Sequence, residues 1–202
     1  MLFLPEINTI FILPPRTGSS TLARQASQIF PRSFLLYRHM EADGVPVGYE
    51  SWRKVGFVRH PLSRLWSLYK YCSSNESFAL LKKVIPDEVE RVTKSVKGKT
   101  FEQWVLTNEE TFLPKAPTMP YLCQLHHEPE TRKSLHEYLR PDLGTMVLKF
   151  QDIKKHFEGL GLNPNSVDAG TPQLPLPKMT PALRKHFKKY FEWELSLGLE
   201  KV

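Results

Sequence analysis

The sequence predicts an α/β fold in which a central, mostly parallel sheet is flanked by helices. A short apolar run rich in β-branched residues, 7–13, is followed by a loop and then by apolar residues at helical spacing. The same order recurs further on, where the apolar run 55–58 leads to Arg59 and Pro61 suits the first turn of a helix. Strands that alternate with helices in this way favour parallel pairing, because each helix returns the chain to the same edge of the sheet.

Each element of the first half has its own signal. Two prolines end the strand 7–13, and the helix that begins near Ser20 stops at Pro31. Residues 33–37 form a second candidate strand, and 55–58 form the third. The apolar faces of the two helices consist of Leu22, Ala26, Ile29 and Phe30, and of Leu62, Leu65, Trp66, Tyr69 and Cys72.

The second half predicts mainly helices, one more strand and a terminal helix. Residues 75–139 carry two helical apolar patches and a proline-rich loop around 114–120. The later elements are a strand at 145–150, a helix capped by Asp152 that ends near Gly159 or Gly161, and a final helix from Thr180 to about Leu197. We expect residues 1–202 to form one domain, since too little chain follows the prolines at 172–181 for a second.

The composition narrows the possible classes of ligand and cellular compartment but does not identify one function. The formal net charge is +7, which suits a polyanionic ligand. Cys72 and Cys123 have neither a metal-binding spacing nor a disulfide framework, so we expect free thiols in a reducing cytosol, or one bridge if the protein is secreted. The first residues lack the features of a secretory leader and no run is long enough to span a membrane, so we expect a soluble, cytoplasmic protein.

The loop between the first strand and its helix has the features of an anion site. A glycine lets the backbone approach a ligand, the amides at the helix start favour a negative charge, and hydroxyls and an arginine add donors. It lacks the second glycine and the lysine of the nucleotide-triphosphatase P-loop. The candidate ligand-binding residues are Arg16, Thr17, Gly18, Ser19, Ser20 and Thr21.

A second anion site is predicted at the end of the third strand. Arg59 ends that strand, and Ser67 lies two turns into the following helix, on a face other than the apolar one. Both segments lie where strands of a parallel sheet end, and ligands of such sheets bind at that edge. Two separate phosphate sites suit a nucleotide that is phosphorylated at its 5′ and 3′ positions.

These segments resemble those of sulfotransferases that use 3′-phosphoadenosine 5′-phosphosulfate (PAPS). Residues 11–22 (FILPPRTGSSTL) are similar to the family's 5′-phosphosulfate loop, and 58–69 (VRHPLSRLWSLY) resemble its 3′-phosphate segment. Residues 147–153 and the final helix are also similar, so the resemblance spans almost the whole chain and is greatest to the carbohydrate and Golgi-type branches. It implies a P-loop-like three-layer fold.

The resemblance also implies roles for single residues. Arg16 would contact the 5′-phosphate and the oxygen that bridges to the sulfuryl group, and residues 17–21 would cradle that phosphate. Arg59 and Ser67 would hold the 3′-phosphate, and the product would be 3′,5′-adenosine bisphosphate. Leu22 replaces a tryptophan that some members stack on adenine, so the adenine contacts stay open.

Sulfuryl transfer also needs a base that takes the proton of the acceptor hydroxyl. His39 is the first candidate, because it follows the second strand where the resemblance places a His or Glu. Glu41 is the second candidate and Glu50 a distant third. We expect direct in-line transfer without a metal to a carbohydrate hydroxyl, although a peptide tyrosine, a lipid or a small metabolite stays open.

Two other classes of function compete with this hypothesis. A P-loop-type kinase for nucleotides or metabolites shares the strand–loop–helix start but needs the missing lysine motif. A polyanion-binding protein without catalysis would use the basic stretch 82–99, which has few aromatic residues to stack on bases. We therefore expect no nucleic-acid partner. A degenerate, non-catalytic sulfotransferase fold is a further alternative, which the intact loop and the Arg59–Ser67 pair disfavour.

Overall fold

The computed structural model describes residues 1–36, 39–74, 83, 86–107, 131–167 and 175–201. In these ranges the chain forms an α/β fold, a five-stranded mixed sheet with helices on both faces. The strands are β1 (Leu2–Leu4), β2 (Thr9–Ile12), β3 (Phe34–Leu35), β4 (Arg53–Val58) and β5 (Met146–Lys149). Their order across the sheet is β3-β1-β2-β4-β5.

The strands β2, β4 and β5 pair in parallel, as the alternation of strands and helices in the sequence predicts. β2 pairs with β4 and β4 with β5, both in parallel, with Phe11 opposite Val55 and Val55 opposite Met146. β1 was not predicted, and it runs antiparallel to both β2 and β3. The sheet is therefore mixed rather than mostly parallel. A tight turn that ends at Asn8, in the left-handed conformation, reverses the chain between β1 and β2.

The predicted strand 33–37 is shorter than expected. Only Phe34–Leu35 pairs, at the edge of the sheet, and both side chains are exposed. Residue 37 lies outside the described residues, as do the apolar residues Leu80, Leu81, Val84 and Ile85, the proline-rich loop at 114–120 and Cys123. None of the described helices is both long and apolar enough to cross a membrane.

The helices of the first half begin where the sequence indicates. α2 starts at Pro61, and the imidazole of His60 caps it by accepting the Leu62 amide at 3.1 Å. The Thr180 hydroxyl caps the helix that follows it in the same way. The eight helices of the described ranges are α1 (Ser19–Ile29), α2 (Pro61–Ser73), α3 (Pro86–Val96), α4 (Phe101–Thr107), α5 (Leu135–Leu139), α6 (Ile153–Gly159), α7 (Pro181–Tyr190) and α8 (Glu192–Ser196).

Two predictions about helix ends were wrong. Asp152 precedes α6, but its carboxylate makes no capping hydrogen bond, because a 3-10 turn over Phe150–Asp152 already leads into the helix. The terminal helix is not continuous: α7 ends at Tyr190 and α8 begins at Glu192. Phe191, with φ −131, interrupts the helical backbone and lets its fully buried ring enter the core.

Alternate residues of the strands face two different layers. Phe11, Val55 and Phe57 pack against α1 and α6 on one face. Ile10, Ile12 and Val58 pack against α5 and the C-terminal residues on the other. A third cluster joins α2, α3, α4 and α7 around the fully buried Trp104. α1 and α2 are thereby fixed with their N-terminal ends following β2 and β4, at the same edge of the sheet.

Candidate functional site

The loop between β2 and α1 has a backbone that few residue types could adopt. Arg16 and Gly18 both hold left-handed conformations, with φ of 64° and 78°. A Cβ at position 18 would lie 2.7 Å from Cδ1 of Ile153, in a backbone conformation that other residues rarely adopt, so glycine is strongly favoured in this turn. The buried Thr17 hydroxyl donates to the Pro14 carbonyl at 2.8 Å and closes the loop.

The start of α1 offers donors toward this edge of the sheet. The helix begins at Ser19, and the first amides of any helix have no partner within it. These amides and the positive end of the helix dipole favour an anion. Ser19 is buried, Thr21 is half-buried and Ser20 is exposed. The Thr17 hydroxyl, in contrast, already donates to the loop itself, so its predicted contribution reduces to its backbone amide.

Arg16 reaches across to α2. Its Nε donates to the Ser67 hydroxyl at 3.0 Å, and its guanidinium lies 4.9 Å from the centre of the Tyr71 ring. Ser67 is buried, so it is not the solvated serine of a plain helix surface. The two segments that the sequence singled out therefore meet through a direct hydrogen bond.

Arg59 joins the same locality from the end of β4. Its Nη1 donates to the Arg16 carbonyl at 3.2 Å, and its guanidinium lies 4.5 Å from the centre of the Phe150 ring. Burial is the main cause that lowers the pKa of Arg59 to about 10, and the positive charges of Arg16 and Arg64 contribute to the same shift. The side chain stays cationic at neutral pH. Because the neighbouring cations repel one another, a bound anion would be stabilised here.

Lys70 is a third cation that the sequence reasoning missed. Burial lowers its pKa, and the charges of Arg59 and Arg16 act in the same direction. Lys70 and Tyr71 lie three and four residues after Ser67, so helical spacing places them on the Ser67 side of α2. This spacing was a readable signal. The cation set at this edge is therefore Arg16, Arg59 and Lys70.

The two predicted bases have different surroundings. His39 is buried in a left-handed conformation, with φ of 67°, and its Nδ1 lies 2.6 Å from the Leu13 carbonyl oxygen. Because a carbonyl only accepts, Nδ1 carries the proton and the neutral ring has its basic lone pair on Nε2. Glu41 is also buried, and its carboxylate forms an ion pair with Lys133. Burial raises the pKa of Glu41, while Lys133 opposes the rise.

Comparisons with protein-family models, with curated proteins and with solved structures found no match. The chemistry of the site therefore follows from its own residues. They combine three converging cations, a helix N-terminus and a hydroxyl, which together suit a phosphate-bearing ligand. His39 hydrogen-bonds the last residue before the loop, so it belongs to the same edge of the sheet.

The other candidate residues do not join this group. Glu50 is exposed, and its Oε2 accepts the Gly48 amide at 2.7 Å. His60 acts as a helix cap, and burial lowers its pKa to about 4, with a smaller contribution from the charge of Lys201. Within the described ranges, no group of three or more His, Cys, Asp or Glu side chains could hold a metal ion.

Proposed function

We propose that this chain is a sulfotransferase that transfers a sulfuryl group from PAPS to an acceptor hydroxyl, on a P-loop-like fold. The observation that carries the proposal is the convergence of the β2–α1 loop with Arg59 and Ser67. These residues come from separate segments of the chain, yet Arg16 donates a hydrogen bond to Ser67, and Arg59 donates one to the Arg16 carbonyl. A nucleotide with two phosphates is the ligand class that uses both halves of such a site.

The residues present fit this donor. Gly18 packs against Ile153 and Phe150, which fixes the loop at the start of α1, and the first amides of that helix favour a phosphate. Arg59 and Ser67 would hold the 3′-phosphate, with Lys70 near. The bond between Arg16 and Ser67 would be exchanged for bonds to phosphate when the donor binds. Bound there, PAPS supplies the sulfuryl group.

The chemistry asks two further things of the protein. Arg16 would stabilise the negative charge that develops on the leaving phosphate. His39 would accept the proton of the acceptor hydroxyl at Nε2, because its Nδ1 proton is committed to Leu13. Glu41 is the weaker candidate for this role, since its carboxylate is paired with Lys133.

Calorimetric titration tests the donor site. We expect 3′,5′-adenosine bisphosphate to bind at least about tenfold more tightly than 5′-AMP, because a charge-assisted phosphate contact contributes about 1.5–3 kcal/mol. Arg59→Gln should remove this preference and weaken 5′-AMP binding much less, through the lost hydrogen bond to the Arg16 carbonyl alone. Arg24→Gln, which alters an exposed arginine of α1, is the matched control. Tighter binding of magnesium ATP than of the bisphosphate would favour a kinase and overturn the proposal.

Transfer of label from [35S]PAPS to a panel of unsulfated oligosaccharides tests the chemistry. Arg16→Ala should lower turnover by about 10²–10³-fold, the usual effect of losing one donor to a developing charge. His39→Gln should lower it by about 10²–10⁴-fold without weakening binding of the bisphosphate. If Glu41→Gln had the larger effect on turnover at unchanged stability, Glu41 would be the base and our assignment would be wrong.

A further inference from the structure

The exposed side of α7 carries four cations that we call the basic stripe: Arg184, Lys185, Lys188 and Lys189. Residues 175–190 contain no Asp or Glu. None of the four forms an ion pair within the part of the chain that the structure describes. The stripe is therefore a surface of concentrated, uncompensated positive charge.

Two exposed cations elsewhere on the described surface have acidic partners. Lys94 contacts Glu90 at 2.6 Å, and Arg140 contacts Asp43 and Asp142 at 3.0 and 2.8 Å. The contrast matters for the basic stretch 82–99 of the sequence. There Lys94 is neutralised by Glu90, and Lys99 donates to the Ser95 carbonyl at 3.0 Å. The four cations of α7, in contrast, lie on adjacent turns of one helix without an acidic side chain among them.

Helix stability does not explain the stripe. Arg184 and Lys188 are four residues apart, as are Lys185 and Lys189, and like charges at this spacing destabilise a helix. Cations near the C-terminal end of a helix are favoured by its dipole, which accounts for Lys188 and Lys189. Arg184 and Lys185 lie in the first half of α7, where the dipole gives no such benefit. An external anion would explain all four.

A further cation, Arg132, lies at the Tyr190 end of the stripe. The Arg132 guanidinium lies 5.3 Å, and the Lys189 ammonium 5.0 Å, from the centre of the Tyr190 ring. The pKa of His186 is lowered by burial and also by the charges of Arg132 and Lys189. Arg132 is therefore near the stripe in space, although it comes from another segment of the chain.

The surroundings of the stripe select among the classes of anionic partner. The apolar residues of α7, Leu183 and Phe187, are buried in the core, so this helix has no apolar face to insert into a lipid surface. Tyr190 is the aromatic residue beside the stripe, and cations lie over its ring, which disfavours stacking on nucleobases. A hydrophilic chain with regularly spaced anions, an acidic polysaccharide, fits the surface better than either.

We propose that the basic stripe, together with Arg132, binds an acidic polysaccharide. Resting on the proposed function, this polymer would carry the hydroxyl that receives the sulfuryl group. The fold connects the two places, because His186 contacts the Thr131 carbonyl at 2.7 Å and Lys133, two residues on, pairs with Glu41. Glu41 in turn is two residues from His39. The helix that carries the stripe therefore packs on the segment that supports the predicted base.

The test is binding of a polyuronate oligosaccharide, an unsulfated polymer of carboxylated sugars, measured at low salt by calorimetry. The double variant Lys185→Glu/Lys188→Glu should weaken binding by about tenfold or more, because each cation near an anionic surface adds several-fold to affinity. The new carboxylates lie four residues from Lys189 and Arg184, and these pairs offset the lost dipole interaction of Lys188, so we expect a melting temperature within a few degrees of the wild type. The affinity of the wild type should fall steeply with salt, and that of the variant less steeply.

The matched control is Lys154→Glu/Lys155→Glu, which reverses two exposed lysines of α6 and should change affinity less than about twofold. Equal weakening by both double variants would reduce the effect to net charge and overturn the proposal. Tighter binding of a single-stranded DNA oligonucleotide, or of phosphatidylserine vesicles, would overturn the choice of polysaccharide. Titration with 3′,5′-adenosine bisphosphate keeps the two proposals apart, because the stripe variant should bind it as the wild type does.

Discussion

At the scale of single residues, backbone strain coincides with the predicted chemistry. Arg16 and His39 are two of the four non-glycine residues with positive φ in the described ranges. Such conformations cost about 1–2 kcal/mol and persist only where surrounding contacts fix them. Here Arg59 and Ser67 hold Arg16, and the Leu13 carbonyl holds the His39 ring. Strain maintained at these two positions supports their proposed roles.

His60 makes stability depend on pH in a way that can be tested. Its pKa is about 4 in the folded chain against 6.5 when unperturbed, so the unfolded state binds more protons between these values. The contribution of neutral His60 is complete above pH 6.5 and is lost as the pH falls toward about 4. After allowance for solvent screening, we expect this loss to be on the order of 1 kcal/mol in urea unfolding.

His60→Asn is the informative variant, because an asparagine can still cap α2 but does not titrate. Its unfolding free energy should fall less between about pH 6.5 and about pH 4.5 than that of the wild type. The same dependence on pH in both proteins would show that other groups control acid stability.

The sequence was sufficient for some site residues and insufficient for others. Arg16, Arg59 and Ser67 could be predicted because strand ends and helical spacing alone bring them to one edge. Lys133 could not, because it pairs with Glu41 from 92 positions away, and no local pattern encodes that contact. The pairing of Arg59 with the Phe150 ring likewise depends on the order of strands in the sheet.

At the scale of elements, α2 links the core to the site. Leu62, Leu65 and Leu68 pack into the helical cluster, while Ser67 faces the loop that follows β2. The helix was predictable from its proline start and apolar spacing. β1 was not, because three buried residues before a turn give too short a run to mark a strand. Its position between β2 and β3 is set by long-range pairing alone.

Gly18→Ala tests whether the loop and α1 form one rigid unit. The added methyl group would meet Ile153 at 2.7 Å and Phe150 at 3.4 Å, in a backbone conformation that alanine adopts poorly. We expect a loss of about 1–3 kcal/mol in unfolding free energy and weaker binding of 3′,5′-adenosine bisphosphate. The control is Gly159→Ala in α6, where a Cβ meets no atom within 4 Å. That change should be neutral or stabilising by up to about 1 kcal/mol. If Gly18→Ala had the stability of the wild type, the turn would accommodate a side chain, and the loop and α1 would not form one rigid unit.

At the scale of the whole molecule, buried charges hold the segment that follows residue 130 against the sheet and the helices. The fully buried Arg64 donates from Nη2 to the Lys133 carbonyl at 2.7 Å. Glu194, also buried, accepts the Leu135 amide, and burial raises its pKa while the Arg64 charge opposes the rise. Buried charges seldom add net stability over apolar residues of the same volume. Their contacts fix the position of this segment, in which Lys133 pairs with Glu41, two residues from His39.

The pair of Lys133 and Glu41 is where this network can be tested. Lys133→Met would leave a buried carboxylate without its cation and should lower the unfolding free energy by about 3–5 kcal/mol. The double variant Lys133→Met/Glu41→Leu should recover most of that loss, because neither charge then needs to be desolvated.

The raised pKa of Glu41 determines whether stability rises or falls with pH. Glu41 has a raised pKa in the fold, so the unfolded state binds fewer protons just above pH 4.5 and stability falls as the pH rises through that window. Removing Lys133 takes away the cation that opposes the shift, so the single variant should lose more stability between about pH 5 and about pH 8 than the wild type. Urea unfolding at both pH values measures this difference. A single variant with the stability of the double variant at both pH values would show that the ion pair does not hold the segment in place.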